Sequence, residues 1–211
     1  MAHDPVFDYA TLTAALLDYP NRVGDSDYEG STDSFINSFE KSANRKILSR
    51  YGEMTTTLTT DADGLVTLPT DFIAARNKNV LNGNLLTSLS TIPQGAVASI
   101  FPITTGGDPY YVSISGSQLS ANPPAIRDIT LDYYAKFVGL SGSNTTNWLV
   151  TQHPDYYLFG SMAHAAIYLD DDRGIAKYKG LTKEMEDEIL ALFSFEQTFD
   201  GVGIIMSGAT P

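Results

Sequence analysis

Apolar positions recur along the chain with two periods, and the places where the period changes divide it into parts. Tyr9, Leu12, Leu16 and Tyr19 repeat at helical spacing behind Asp8, which predicts a first helix stopped by Pro20 and Asn21. After a polar stretch from Gly24 to Thr32, Phe35, Ile36, Phe39, Ala43, Ile47 and Leu48 predict a second helix. Thr32 or Asp33 is its cap, and it runs to about Arg50 before Tyr51-Gly52 ends it. The period then drops to two. Met54, Thr56, Leu58 and Thr60 alternate with Glu53, Thr55, Thr57 and Thr59, and threonine suits a pleated surface better than a helix. Asp61-Ala62-Asp63-Gly64 predicts a hairpin into Leu65–Leu68, which Pro69-Thr70-Asp71-Phe72 breaks. Further strands are expected over 75–81, 85–89, 110–114, 118–121 and 129–137, with a short helix over 92–101 capped by Thr91. Turn signals at Asn82-Gly83, Gly106-Gly107 and Gly116-Ser117 complete a small antiparallel module.

Helical spacing returns after the Gly/Ser/Asn/Thr connector of residues 139–146. Pro154 suits a first helical position because its missing N–H would be unpaired there, and Asp155 puts negative charge at the positive end of the helix dipole. Leu158, Met162, Ala165, Ala166 and Leu169 form one apolar stripe. Gly160, Ser161 and Ala163 leave the backbone thin on another side, which predicts an inner helix contacted from two directions. Trp148 and Pro154 are the expected structural anchors of this region, Trp148 buried with a partner for its indole N–H. A last helix follows Asp170-Asp171-Asp172, with Ile175, Tyr178, Leu181, Met185, Ile189 and Leu192 at helical spacing to about Phe195. The expected fold is α+β. About four helices (residues 8–52 and 147–195) form a discontinuous helical domain around an inserted antiparallel β module (residues 53–138, with its connector to 146), and residues 196–211 form an extended C-terminal arm.

With 211 residues the chain can bury a substantial core, and it contains no cysteine, which excludes a disulfide scaffold and thiolate chemistry. A net charge of -12 opposes a surface that grips nucleic acid phosphates. No segment approaches the apolar length of a membrane span, and no basic, apolar leader opens the chain. The sharpest lure for a metal is Asp25-Ser26-Asp27-Tyr28-Glu29-Gly30-Ser31-Thr32-Asp33, which matches a calcium loop until its twelfth position, where Ile36 stands in place of the bidentate glutamate. The other reading is a solvated acidic loop. His153 and His164 would stand roughly 16 Å apart on one helix, too far to share an ion. Ser141 in Gly139-Leu140-Ser141-Gly142-Ser143 lacks the closing glycine and the helix of a nucleophile elbow. No catalytic residue, metal site or cofactor is expected. Glu184, Asp187 and Glu188 make an acidic stretch that reads as a solvated face, an acidic channel wall or a contact for a basic partner.

Several short stretches occur in a telling order: Asp8-Tyr9 with Leu12; Phe35-Ile36 through Asn44-Arg45; Leu68-Pro69-Thr70-Asp71-Phe72; Tyr110-Tyr111; and Asn147-Trp148-Leu149 with His153-Pro154-Asp155-Tyr156-Tyr157. Across residues 8–172 this order resembles the adaptor (head-to-tail connector, or tail accessory) proteins of tailed bacteriophages. The resemblance implies a virion protein at the head-tail interface, assembled in the host cytoplasm without a membrane step. It implies a homo-oligomeric ring, commonly of twelve copies, docked beneath the portal protein and above a downstream tail or stopper protein. DNA would pass through without specific binding, and no catalysis is implied. In such a ring Glu184, Asp187 and Glu188 are candidates for an acidic lumen. Phe195, Phe199, Val202, Ile204, Ile205 and Met206 are candidates for docking on the portal or a neighbouring copy, since an apolar, glycine-interrupted segment orders by burying those side chains. The alternative from another class is a β-rich binding module of a phage tail, for carbohydrate or calcium.

Overall fold

The computed structural model describes residues 6–47, 50–83, 85–100 and 106–200, with side chains for these apart from 50, 98 and 193–200. In chain order the elements are α1 (Tyr9–Asp18), α2 (Ser26–Glu29), α3 (Thr32–Lys46), a 3-10 turn (Arg50–Gly52), β1 (Glu53–Thr59), β2 (Leu65–Thr67), β3 (Phe72–Asn82), β4 (Leu85–Ser88), β5 (Ser90–Thr91), α4 (Gln94–Ile100), β6 (Tyr111–Ser115), β7 (Gln118–Asn122), β8 (Asp128–Ala135), α5 (Trp148–Gln152), α6 (Pro154–Tyr168) and α7 (Asp172–Asp200). The chain divides into a unit made of residues 1–51 with 137–211, whose described elements are helical, and a β-rich unit of residues 52–136.

In the helical unit, α1 opens on a reciprocal cap. The Asp8 carboxylate accepts the Thr11 N–H at 2.8 Å while the Thr11 hydroxyl accepts the Asp8 N–H at 3.0 Å, so two backbone donors that the helix cannot satisfy find partners. Behind the cap Leu12 and Leu16 are wholly buried, each contributing about 1.5–3 kcal/mol before entropy is subtracted. The acidic stretch after Gly24 leaves Asp27, Glu29 and Asp33 exposed, as a solvated stretch would, but it is ordered by the single turn of α2 around a buried Tyr28. Asp25 caps the single turn of α2 by accepting the Tyr28 N–H, and this aims Tyr28 inward, where its ring meets Phe35 and Tyr168 and its hydroxyl donates to the Leu16 carbonyl at 3.1 Å. One aromatic among five polar neighbours leaves no periodic signal. α3 buries Phe35, Ile36, Phe39 and Ala43 and carries Arg45 and Lys46 in its last turn, where they complement the helix dipole. It stops at Lys46, short of the predicted Arg50.

The helix beginning at Pro154 is the hub. α6 packs on α1, α3, α5 and α7, and its thin side does admit a close neighbour. A Cβ added at Gly160 would lie 2.1 Å from two atoms of the Phe39 ring, so glycine is required for α3 to approach this closely. Phe39 then meets Tyr156 and Tyr157 edge-on at 4.9 and 5.1 Å between ring centroids. The connector, assigned from composition to the β module, belongs with the helices: Phe137 and Leu140 are buried in their core, and the Phe137 N–H donates to the Asn44 side chain. α7 continues to Asp200, so the first five residues of the expected extended arm, 196–200, are helical. Val202, Ile204, Ile205 and Met206 lie outside the described residues.

The β-rich unit holds two four-stranded sheets, β1-β8-β3-β4 and β2-β7-β6-β5. Asp61 to Gly64 does turn the chain: the Asp61 carboxylate accepts the Leu65 N–H, its own N–H donates to the Leu65 carbonyl, and Gly64 supplies the left-handed φ of 73°. The expected hairpin does not form, however. β1 pairs with β8 over seven residues, Met54 opposite Tyr133 and Leu58 opposite Ile129, while three-residue β2 pairs with β7 in the other sheet. A turn signal is local, whereas strand pairing goes to the partner offering the longer ladder and the buried face, and β8 offers both in Ile129, Leu131 and Tyr133. Leu68, Val80, Val112, Leu119, Ile129 and Leu131, drawn from both sheets and the segment after β2, form one core. β5 departs from the antiparallel expectation by running parallel to β6, and it takes up Thr91, so α4 starts at Gln94 without the predicted Thr91 cap.

The α3–α6 contact yields a sign test. In an open helix Gly160→Ala would stabilise by about 1 kcal/mol through propensity, but overpacking against Phe39 costs about 1–3 kcal/mol. The urea midpoint of Gly160→Ala is expected to fall; a rise would contradict the close packing.

Candidate interaction surfaces

Two kinds of polar feature stand out in the helical unit, one enclosed and one open. The enclosed one centres on Glu40, buried at the residue after Phe39. Its carboxylate accepts the Leu140 N–H at 2.7 Å and the Tyr157 hydroxyl. Gly139 makes this possible, because a Cβ there would meet the Glu40 carboxylate oxygen at 2.5 Å. Asn147 extends the cluster: its amide donates to the Val138 carbonyl at 2.9 Å and to the Tyr157 hydroxyl at 3.2 Å, and its carbonyl oxygen accepts the Val150 N–H to cap α5. Burial first, and then the Glu40 carboxylate, push the Tyr157 phenol far above its ordinary range. The cluster ties α3, the connector and α6 together in the core. A phenol held neutral against a carboxylate, away from solvent, positions backbone here; it has no reacting partner among the described residues.

Other titrating groups follow the same logic. Burial pushes Tyr28 up to about 12, and burial with the nearby Glu186 charge pushes Tyr156 higher still. His153, between α5 and α6, is lowered by burial against an opposing pull from Asp155, and His164 is lowered by burial and by Lys179. Both imidazoles are therefore neutral near pH 7. Three of the four acids of the calcium-like segment are engaged by the protein: Asp25 caps α2, Glu29 accepts the Gly24 N–H at 2.7 Å, and Asp33 accepts the Tyr9 hydroxyl at 2.5 Å, while Asp27 is exposed. Among the described residues no group of three His, Asp or Glu side chains converges as a metal site, and no helix is long and apolar enough to cross a membrane.

Pro154 occupies the first turn of α6, as its missing N–H requires. Trp148 differs from expectation. It is half-buried, stacked on Tyr51 with centroids 6.1 Å apart and edge-on to Phe137 at 6.0 Å, and its indole N–H finds no acceptor among the described residues. Ring stacking holds the indole there without a hydrogen bond to direct it.

The open features lie on α7 and around it. Glu184, Asp187 and Glu188 are exposed on the outer face, with Lys183 reaching Asp187 at 3.2 Å. On an adjoining face a groove of about 370 Å³ runs between α3, α6 and α7, bounded by Lys46, Lys179 and Lys183 over a floor that includes Phe39 and Gly160. Lys46 pairs across it with Glu186 at 2.7 Å. No sequence pattern revealed this groove, because its cations come from two helices far apart in the chain. In the β-rich unit, Leu81, Leu85 and Leu86 are 57%, 70% and 66% exposed on the β3–β4 hairpin, where Leu81 faces Leu86 across the ladder. The docking residues expected near the C-terminus are not among these surfaces: the side chains of Phe195 and Phe199, like Val202 and the residues after it, lie outside the described residues.

Residues 7–201 match the family model described as SU10 adaptor protein, a span that takes in both units and the whole of α7. No curated protein shows significant similarity to the chain.

The buried phenols set an alkaline limit. Their folded values lie above the ordinary 10.0, so the stability they contribute is complete below about pH 10 and is lost as the pH rises through the folded values, where only unfolding lets them ionise. Raising the pH past about 12 is expected to unfold the helices cooperatively, with the phenolate absorbance of Tyr28, Tyr156 and Tyr157 appearing in the same step. Ionisation of all 12 tyrosines with the helical circular dichroism intact would contradict this.

Proposed function

This chain belongs to the SU10 adaptor protein family, and from that premise we propose that it works as a head-to-tail ring, several copies docked beneath a portal and leading DNA from capsid to tail. The observation that carries the reading is the extent of the family match, residues 7–201, which takes in both units and the whole of α7. An adaptor of bacteriophages is a structural component of the virion, with portal and tail proteins as its partners. Twelve copies, assembly in the host cytoplasm and a downstream stopper or tail protein complete the proposal.

The chemistry of the molecule supports a role exercised by surfaces. In the helical unit the buried Glu40, with Tyr157 and Asn147, holds α3, the connector and α6 together, while Glu184, Asp187 and Glu188 stand exposed. A net charge of -12 suits a conduit for DNA, because like charge keeps the polymer from adhering to the wall. We assign Glu184, Asp187 and Glu188, exposed together on α7, to the lumen side. The segment beginning at Phe195, with Phe199, Val202, Ile204, Ile205 and Met206, is assigned to docking on the portal or an adjacent copy, where its apolar side chains would be covered.

Electron microscopy of the purified protein mixed with its portal tests the proposal. The expected image is a closed ring coaxial with the portal and open along its axis. Single copies at variable positions, or none on the portal, would overturn it.

A further inference from the structure

The helical unit carries opposite charge in two places of unlike shape. The concave one is the groove between α3, α6 and α7. Three of the chain's 13 lysines and arginines converge on it, in a molecule with 25 aspartates and glutamates. Lys46 is already met by Glu186, and Lys183 leans back along its own helix to Asp187. Lys179 has neither ion pair nor hydrogen bond among the described residues, and His164 beside it is neutral. The groove thus holds more cation than its own walls can satisfy, beside Ile167, whose exposed side chain offers apolar surface.

The convex feature is the tip that joins α6 to α7. Asp170, Asp171 and Asp172 are consecutive and all exposed, and the turn is tight enough that Asp170 takes a left-handed φ of 56°. Tyr168, 51% exposed, adds an aromatic surface beside the three carboxylates. Groove and tip both belong to the packed α6–α7 pair, so a chain cannot bring its own tip into its own groove. Between chains they are complementary, and because the two surfaces differ, their union is heterologous, the kind of contact that generates rings.

We propose that in the assembled protein the lysine groove of one copy receives the Asp170–Asp172 tip of the next. The inference rests on the multi-copy reading above and supplies its contact. A groove of about 370 Å³ accommodates a few side chains and no duplex, and its apolar wall at Ile167 suits Tyr168 rather than a phosphate backbone. The contact is electrostatic at its rim, so assembly weakens as salt shortens the screening length from about 8 Å at physiological strength toward about 3 Å at 1 M.

The absence of cysteine from the chain makes a covalent test clean. Lys179→Cys and Asp172→Cys are placed in one chain, and the protein is oxidised alone at high concentration and on the portal. A ladder of covalent multimers is expected, with neither single variant cross-linking to itself. A double variant that stays monomeric overturns the proposal, and so does a self-dimer of either single variant, which would mean a two-fold contact. A second arm reverses charge. Lys179→Glu with Lys183→Glu should reduce the number of copies retained on the portal at least tenfold, and Asp170→Lys with Asp172→Lys in the same chain should restore it; undiminished retention, or loss without restoration, overturns the proposal. The two readings fail separately. If the unaltered protein forms a ring by microscopy while the double-cysteine chain stays unlinked, only the groove contact is wrong, whereas single copies of the unaltered protein on the portal defeat the ring itself.

Discussion

Phe39 lies against Gly160 so closely that no side chain fits between them, and the spacing of α3 and α6 follows from that contact. Because Phe39 sinks so far into α6, the next residue on its helix, Glu40, arrives at the connector and receives the Leu140 N–H and the Tyr157 hydroxyl. The connector's glycine lets the carboxylate in, and the residue before α5, Asn147, closes the cluster from the other side. A buried carboxylate is costly unless every lone pair finds a donor, so the arrangement specifies one register of α3 against α6 and tolerates few others. α7 packs along the same hub helix, and the walls of the lysine groove are the edges this packing leaves open.

Much of this was legible in the chain, and what was not has identifiable causes. The hub helix announced itself through Pro154, Asp155 and the run of small residues, and the small residues foretold a close neighbour without naming Phe39. Asp8 marked the start of α1, while its reciprocal partner Thr11 shows only in the structure. The strands of the β-rich unit were visible by period and by glycine turns, but the pairing of β1 with β8 is decided by residues 69 to 81 positions apart, and a favourable turn at Asp61–Gly64 carries no information about that competition. α2 escaped because Tyr28 is a lone aromatic in polar company, and its burial depends on Phe35 and Tyr168. Trp148 was expected to be a buried, hydrogen-bonded anchor. Its actual hold is stacking on Tyr51, a contact with a residue nearly a hundred positions earlier.

The same division applies to function. Membership of the SU10 adaptor protein family was foreshadowed by the order of short motifs along residues 8–172, whereas the groove, assembled from Lys46 on α3 and Lys179 and Lys183 on α7, exists only once the helices pack. Polar groups that could have suggested catalysis, Glu40 with Tyr157 above all, are absorbed in positioning backbone. What remains for contact with other molecules is outside: the acidic face of α7, the lysine groove, and the exposed leucines of the β3–β4 hairpin. Within the helical unit the core is firm, and in the proposed function its outer surfaces are what meet partners.

That claim is tested most directly by amide hydrogen exchange of the free protein and of the portal-bound assembly. Slow exchange in α3 and α6 is expected in both states at the same rates, with new protection on assembly confined to α7 and the α6–α7 tip. Unchanged exchange everywhere, or protection that first appears in α3 and α6 on assembly, would contradict the account.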